Sequence, residues 1–121
     1  MTNESLAALR RLNQEIPVEE NRGNRLFFQD RLAGAFAIRR AKGQLDNREM
    51  FLLSLTGGGT RKCDPKTIKV TPLGKQRALV SCIVTVGEDV IHNTRMFIKE
   101  AGRWKVLAWA NEPVAFPRRA Q

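Results

Sequence analysis

Thr94-Arg95-Met96-Phe97-Ile98-Lys99-Glu100-Ala101-Gly102-Arg103-Trp104-Lys105-Val106-Leu107-Ala108-Trp109 reads as two strands folded back on each other at Ala101-Gly102. Aromatic and β-branched residues alternate with charged ones on both sides of that turn, the pattern of a half-buried hairpin. Working upstream, Arg77 to Val86 has the same period of two. Ala78, Val80, Cys82, Val84 and Val86 share one face, and Leu79, Ser81, Ile83 and Thr85 the other. Gly87-Glu88-Asp89 turns this segment into a strand from Val90 to Lys99, and Arg103 to Asn111 closes the hairpin. A shorter strand, Lys66 to Val70, precedes the turn Pro72-Leu73-Gly74-Lys75. Four antiparallel strands are expected.

The amino-terminal half has helical spacing. Leu6, Leu9, Leu12 and Ile16 recur at three- and four-residue steps over residues 4–15, with Thr2 or Asn3 as the cap. Pro17 is expected to kink or break this helix, which continues for a turn until Gly23. Asn24 caps a second helix, with Leu26, Phe27, Leu32 and Ala33 supplying apolar contacts. Ala35 to Arg39 is extended, Lys42-Gly43 is a turn, and Gln44-Leu45 a short return strand. Asp46, with Glu49 three residues on, has the spacing of a capping box for a short helix carrying Met50, Phe51, Leu53 and Leu55. Gly57-Gly58-Gly59 ends that helix; without a following Lys-Ser/Thr it is no phosphate loop. Helices followed by clustered strands give an α+β fold.

The 121 residues suit one domain, residues 1–116, with a frayed tail at 117–121. At 42% apolar and 27% charged the chain is globular in composition. The net charge of +9 is spread along the chain in pairs such as Arg10-Arg11 and Arg39-Arg40, without a nucleic-acid motif. It reads as solvated surface or a basic rim around an acidic ligand, and nucleic acid is not the expected partner. Cys63, Cys82 and a single histidine form no metal-ligand pattern, and no cofactor is expected. Cys82 reads as a core residue on a strand and Cys63 as a loop residue. No apolar run approaches the ~20 residues of a membrane span, and Met1-Thr2-Asn3-Glu4 does not open a signal peptide, so a cytoplasmic protein is expected.

The stretch from Thr94 to Trp109, strand, Gly-Arg-Trp turn and closing strand, resembles the last hairpin of the nuclear-transport-factor-2-like superfamily, in its SnoaL-like and ketosteroid-isomerase-like members. Asp46-Asn47-Arg48-Glu49-Met50-Phe51-Leu52 sits where the small bacterial, uncharacterised branch has a helix after a short hairpin. The resemblance implies a cone: a curved mixed or antiparallel sheet, a cystatin-like α+β barrel, wrapped on the amino-terminal helices around a pocket. It also implies a homodimer paired through the outer sheet face. Strands apolar on both faces are compatible with that, since each face then needs cover.

Register decides which residues would line such a pocket. Pairing Lys99 with Arg103 sets Ile98 opposite Trp104, Met96 opposite Val106, Thr94 opposite Ala108 and His92 opposite Ala110. That choice keeps apolar with apolar on one face, and a slip of one residue would put Ile98 opposite Lys105 and mix the faces. On it the pocket residues are His92, Thr94, Met96, Ala108 and Ala110, with Phe28 from the helices. His92 is the candidate for a catalytic base. Trp109 stacks with Arg95 on the outer face. The chain has no Tyr for the isomerases' oxyanion hole, and no convincing match to their catalytic Asp, since Asp30 reads as a helix end and Asp46 as a cap. Glu19-Glu20 reads as a solvated helix face. The first expectation is a dimeric binding domain with an apolar pocket for a small apolar or acidic molecule. The alternatives are a SnoaL-like acid–base enzyme acting on a hydrophobic ring or carbonyl compound, and a non-enzymatic association domain.

Overall fold

The computed structural model describes residues 1–114; the expected tail at 117–121 lies outside the described residues. Helix α1 runs Asn3–Arg22, capped by the Thr2 side chain, which accepts from the Ser5 N–H. It ends at Gly23, whose φ of 65° is left-handed. Its buried stripe is Leu9, Leu12, Asn13, Ile16, Pro17 and Glu20, so Pro17 lies inside a continuous helix rather than ending it. A β-carbon at Gly23 would meet the Gly57 backbone N at 2.7 Å, which explains why two glycines stand where the α1 end crosses the later loop.

Helix α2 is Arg25–Arg31, capped by Asn24 as expected. Strand β1, Leu32–Arg39, follows directly; β2 is Leu45–Asn47 and helix α3 is Arg48–Ser54. Asn47, not Asp46, caps α3, by accepting from the Met50 N–H. Asp46 is instead a buried strand residue, held by Arg40 and Gln44. Strand β3, Arg61–Cys63, contains Cys63, expected in a loop; its three residues carry no apolar period, and they are extended because they pair with a later strand. Pro65–Thr67 is a single 3-10 turn, so the expected strand at 66–70 is displaced to β4, Lys69–Pro72. Strands β5 (Arg77–Val86), β6 (Asp89–Glu100) and β7 (Arg103–Pro113) are the long ones.

The sheet order is β2-β1-β7-β6-β5-β3, with β4 also on β5. All pairs are antiparallel except β1 with β7. The sheet is mixed and not closed on itself, and α1 crosses one of its faces. Between sheet and helices lies an aromatic cluster: Phe51 meets Phe28, Phe36 and Trp109 at centroid distances of 5.2, 5.5 and 5.4 Å.

The hairpin register departs from expectation by one residue. Glu100 pairs with Arg103, Lys99 with Trp104 and Ile98 with Lys105. The cause is the turn. Ala101 and Gly102 both have positive φ, 50° and 77°, the two-residue loop whose twist matches paired strands. The same register sets Phe97 opposite Val106, and a bulge between Met96 and Phe97 then sets Met96 opposite Ala108 and Arg95 opposite Trp109. Asn93, Arg95, Phe97, Trp104, Val106 and Trp109 therefore face the helices, and every one of them is buried.

Candidate functional site

The concave face of the sheet is apolar at the β6–β7 turn end and polar at the other. Arg95 is the pivot. It is 1% exposed, and its Nη1 donates to Asn13 Oδ1 of α1 at 2.7 Å. Its guanidinium carbon lies 4.0 Å from the centroid of the Trp109 ring. The Arg95 Nε is buried without a hydrogen-bond partner, and among the described residues no carboxylate reaches the guanidinium within ion-pair distance. Burial pushes Arg95 below the ordinary arginine value, opposed by the nearby Glu20 charge.

Polar side chains hold this arginine in place. Asn13 Nδ2 donates to Cys82 Sγ at 3.3 Å, so one amide bridges α1, β5 and β6. Asn111 Oδ1 accepts from Asn93 Nδ2 at 2.6 Å and from the Trp109 indole N–H at 2.9 Å, fixing the ring beneath the guanidinium. Cys82 is drawn to lower pKa by the neighbouring Cys63 thiol and by Arg95, against burial, while Cys63 is pushed up.

Two further arginines close the site, each already paired. Arg61 Nε lies 3.2 Å from Glu20 Oε2, and Asn21 anchors the Arg61 backbone through both its N–H and its carbonyl. Arg40 Nε lies 2.9 Å from Asp46 Oδ2, and its Nη2 donates to Ser54 Oγ at 2.8 Å. Burial raises Glu20 above the ordinary glutamate value in spite of Arg61, Arg95 and Arg40 around it. Hydrogen bonds from Gln44 and Arg40 hold Asp46 below its ordinary value.

Between these groups is a cleft of about 200 Å³. Glu20, Arg40, Arg61, Arg95, Trp109 and Asn111 form its polar side, with the exposed Asp89; Val84, Val86 and Ile91 form an apolar wall. A wider depression of about 760 Å³ is bounded by residues of α1 alone, from Ala7 to Arg22, so nothing faces a ligand across it. Among the described residues no three His, Cys, Asp or Glu side chains gather in a metal-binding group. The chemistry the cleft offers is recognition of charge and shape: fixed N–H donors, one buried carboxylate and an aromatic face.

The expected pocket residues lie elsewhere. The register set by the turn puts His92, Thr94 and Met96 on the outer sheet face, and the bulge does the same for Ala108 and Ala110, so all five lie away from the cleft. His92 is exposed and sits opposite Glu112, and Thr94 rather than His92 faces Ala110. Phe28 is wholly enclosed in the aromatic cluster and does not reach the cleft. The Arg95–Trp109 stack forms, but on the inner face. Glu20, read as solvated, is 8% exposed. One signal for it was present in the chain: Glu20 follows Leu9, Leu12 and Ile16 at helical steps, so it continues the buried stripe.

No family model matches the sequence, and no curated protein matches it significantly. Solved structures do match in shape. An uncharacterised protein with a cystatin-like fold from Caulobacter vibrioides superposes with a TM-score of 0.80 at 14% identity, over 93% of this chain and 92% of that one. An NTF-2-like protein of unknown function from Silicibacter pomeroyi gives 0.74 at 16% identity, over 94% of this chain and 100% of that one. The association domain of C. elegans CaMKII gives 0.75 at 12% identity, over 90% and 95%. Three helices, a seven-stranded mixed sheet and these likenesses together establish that the chain has the cystatin-like α+β fold of the nuclear-transport-factor-2-like proteins.

Proposed function

We propose that this domain is a small-molecule-binding module whose ligand occupies the cleft over Arg95. The observation that carries the reading is the state of Arg95: fully buried, with no ion-pair partner among the described residues and an unbonded Nε, in the wall of the cleft. A buried charge without a direct ion pair is costly, and such an arrangement marks a site that a ligand can complete. The pocket is part polar, in place of the apolar one the outer-face residues would have made. Asn13, Asn93 and Asn111 pre-organise it through bonds to Arg95, to one another and to Trp109.

The domain works as a homodimer through the outer face of the sheet. Leu79, Ile83, Met96, Ile98 and Leu107 lie partly exposed on the three long strands, flanked by Ala108 and Ala110. Apolar strand residues in that number favour cover by a second sheet. The similarity to a protein named an association domain supports assembly through this fold. The acid–base alternative has no support at His92, which stands outside the cleft.

A fragment screen followed by NMR tests the binding reading. The chain has two tryptophans, and only Trp109 lines the cleft. A mixed set of charged and neutral fragments is expected to move the Trp109 indole N–H resonance while Trp104 stays still. A set of several hundred compounds with no effect on Trp109 would overturn the reading.

A further inference from the structure

We propose that the ligand of this cleft is a small monocarboxylate, held as an anion by Arg95; the inference rests on reading the cleft as a binding site. Its basis is the pairing of charges. Arg61 is neutralised by Glu20 and Arg40 by Asp46. Arg95 alone of the three has no carboxylate partner, and it is the most deeply buried. The buried part of the wall therefore carries one positive charge without an ion-pair partner among the described residues, since the remaining lining carboxylate, Asp89, is exposed and pairs with none of the three, and a ligand with a single negative charge satisfies it.

The geometry selects the kind of anion. A guanidinium is a planar fork that fits a carboxylate. The Nη1 of Arg95 is committed to Asn13 and its face to Trp109, while Nε holds no bond. With Glu20 and Arg61 paired and the exposed Asp89 carboxylate also in the lining, no second free cation among the described residues faces the cleft, which disfavours a phosphate carrying nearly two negative charges. The volume of about 200 Å³ lies below the ~300–1,000 Å³ of pockets for drug-sized ligands, so the molecule is small. Val84, Val86 and Ile91 give its hydrocarbon part an apolar wall. A short-chain or single-ring monocarboxylate meets all these conditions.

The test titrates the full chain with butyrate and benzoate, with the matched neutral butyramide and benzamide, and with inorganic phosphate, reading the Trp109 indole resonance. The carboxylates are expected to saturate it at millimolar concentration, at least tenfold more tightly than the amides or phosphate. Arg95→Met should abolish the response while the Trp104 resonance and the circular dichroism stay native. Should that variant fail to fold, Glu20→Gln serves: removing this carboxylate also leaves Arg61 without its partner, and the two effects together should tighten benzoate binding several-fold. Equal binding of amides and acids, tighter binding of phosphate, or indifference to Glu20→Gln would overturn the carboxylate assignment and leave the binding module standing. Silence of Trp109 toward these probes and toward the wider fragment set would remove both.

Discussion

Arg95 and Trp109 are register partners across β6 and β7, and the guanidinium carbon of one stands 4.0 Å from the ring centroid of the other. The pair spans the polar and apolar halves of the interior. Trp109 also touches Phe36 and Phe51 in the aromatic cluster, while Arg95 bonds to Asn13 on α1. A charge is thereby built into the same layer of side chains that holds sheet and helix together.

Replacing the charge should be nearly free for folding. Arg95→Met leaves Asn13 Oδ1 without its donor, at about 1–3 kcal/mol. It also removes a buried, unpaired cation whose desolvation costs several kcal/mol. Urea unfolding is expected to show a net change within about 1 kcal/mol of zero, or a gain. A loss above ~3 kcal/mol would mean that Arg95 is structural.

The reverse edit should be harsh. Asn13→Leu keeps the cation buried and removes the hydrogen bond its Nη1 makes, with an expected loss of about 2–3 kcal/mol. Because the two residues share one interaction, the Asn13→Leu/Arg95→Met pair should be more stable than the single Asn13→Leu. Additive losses in a double-mutant cycle would contradict the coupling.

Glu20 makes stability depend on pH. Its folded pKa is raised above the ordinary 4.5 by burial, so the folded chain binds its proton more tightly than the unfolded chain does. The contribution is fully present below that ordinary value and is lost as pH rises through the folded one. The stability of the native chain relative to Glu20→Gln should therefore fall with rising pH above about 4.5 and then level off. Asp46 acts in the opposite sense: with its pKa lowered from 3.8, its contribution is present above that value and lost as pH falls through the folded one. Unfolding curves of both proteins across pH 4–9, flat in their difference, would exclude the Glu20 effect.

A charge on the outer face should dissociate the proposed dimer and spare the fold. Met96 lies partly exposed opposite Leu79 and Ala108. Met96→Glu is expected to shift light-scattering mass from dimer to monomer with an unchanged circular dichroism spectrum. A native chain already monomeric at high concentration would dispose of the dimer.

The hairpin turn carries a correctable strain. Ala101 is exposed with φ of 50°, a region that costs an L-residue with a plain β-carbon on the order of 1 kcal/mol. Asn-Gly is the favoured pair for such a loop, so Ala101→Asn should stabilise by about 0.5–1 kcal/mol, read from the urea midpoint.

The residues that made the fold legible are those with a strong local period. Leu9, Leu12 and Ile16 mark α1, and Val80, Cys82 and Val84 mark β5, because burial of one face repeats with the geometry of the element. Asn24 and Gly23 mark helix ends for equally local reasons. Arg61–Cys63 carried no such mark, since its strand exists only through pairing with β5. The site was less legible than the fold. Matching apolar with apolar across the final hairpin favoured Ile98 opposite Trp104, yet the chain pairs Lys99 there, because the length and positive φ of the Ala101-Gly102 loop set the register.

Residue order alone was enough for an α+β domain whose helices precede a set of long antiparallel strands, because periodicity and end signals act within a few residues of themselves. Which strand face looks inward, and so whether His92 or Arg95 belongs to the interior, was decided only when two turn residues, one bulge and the parallel pairing of β1 with β7 came together. A shift of one residue in a strand reverses every side chain while leaving the composition of both faces plausible, so that choice is made by contacts between segments far apart in the chain.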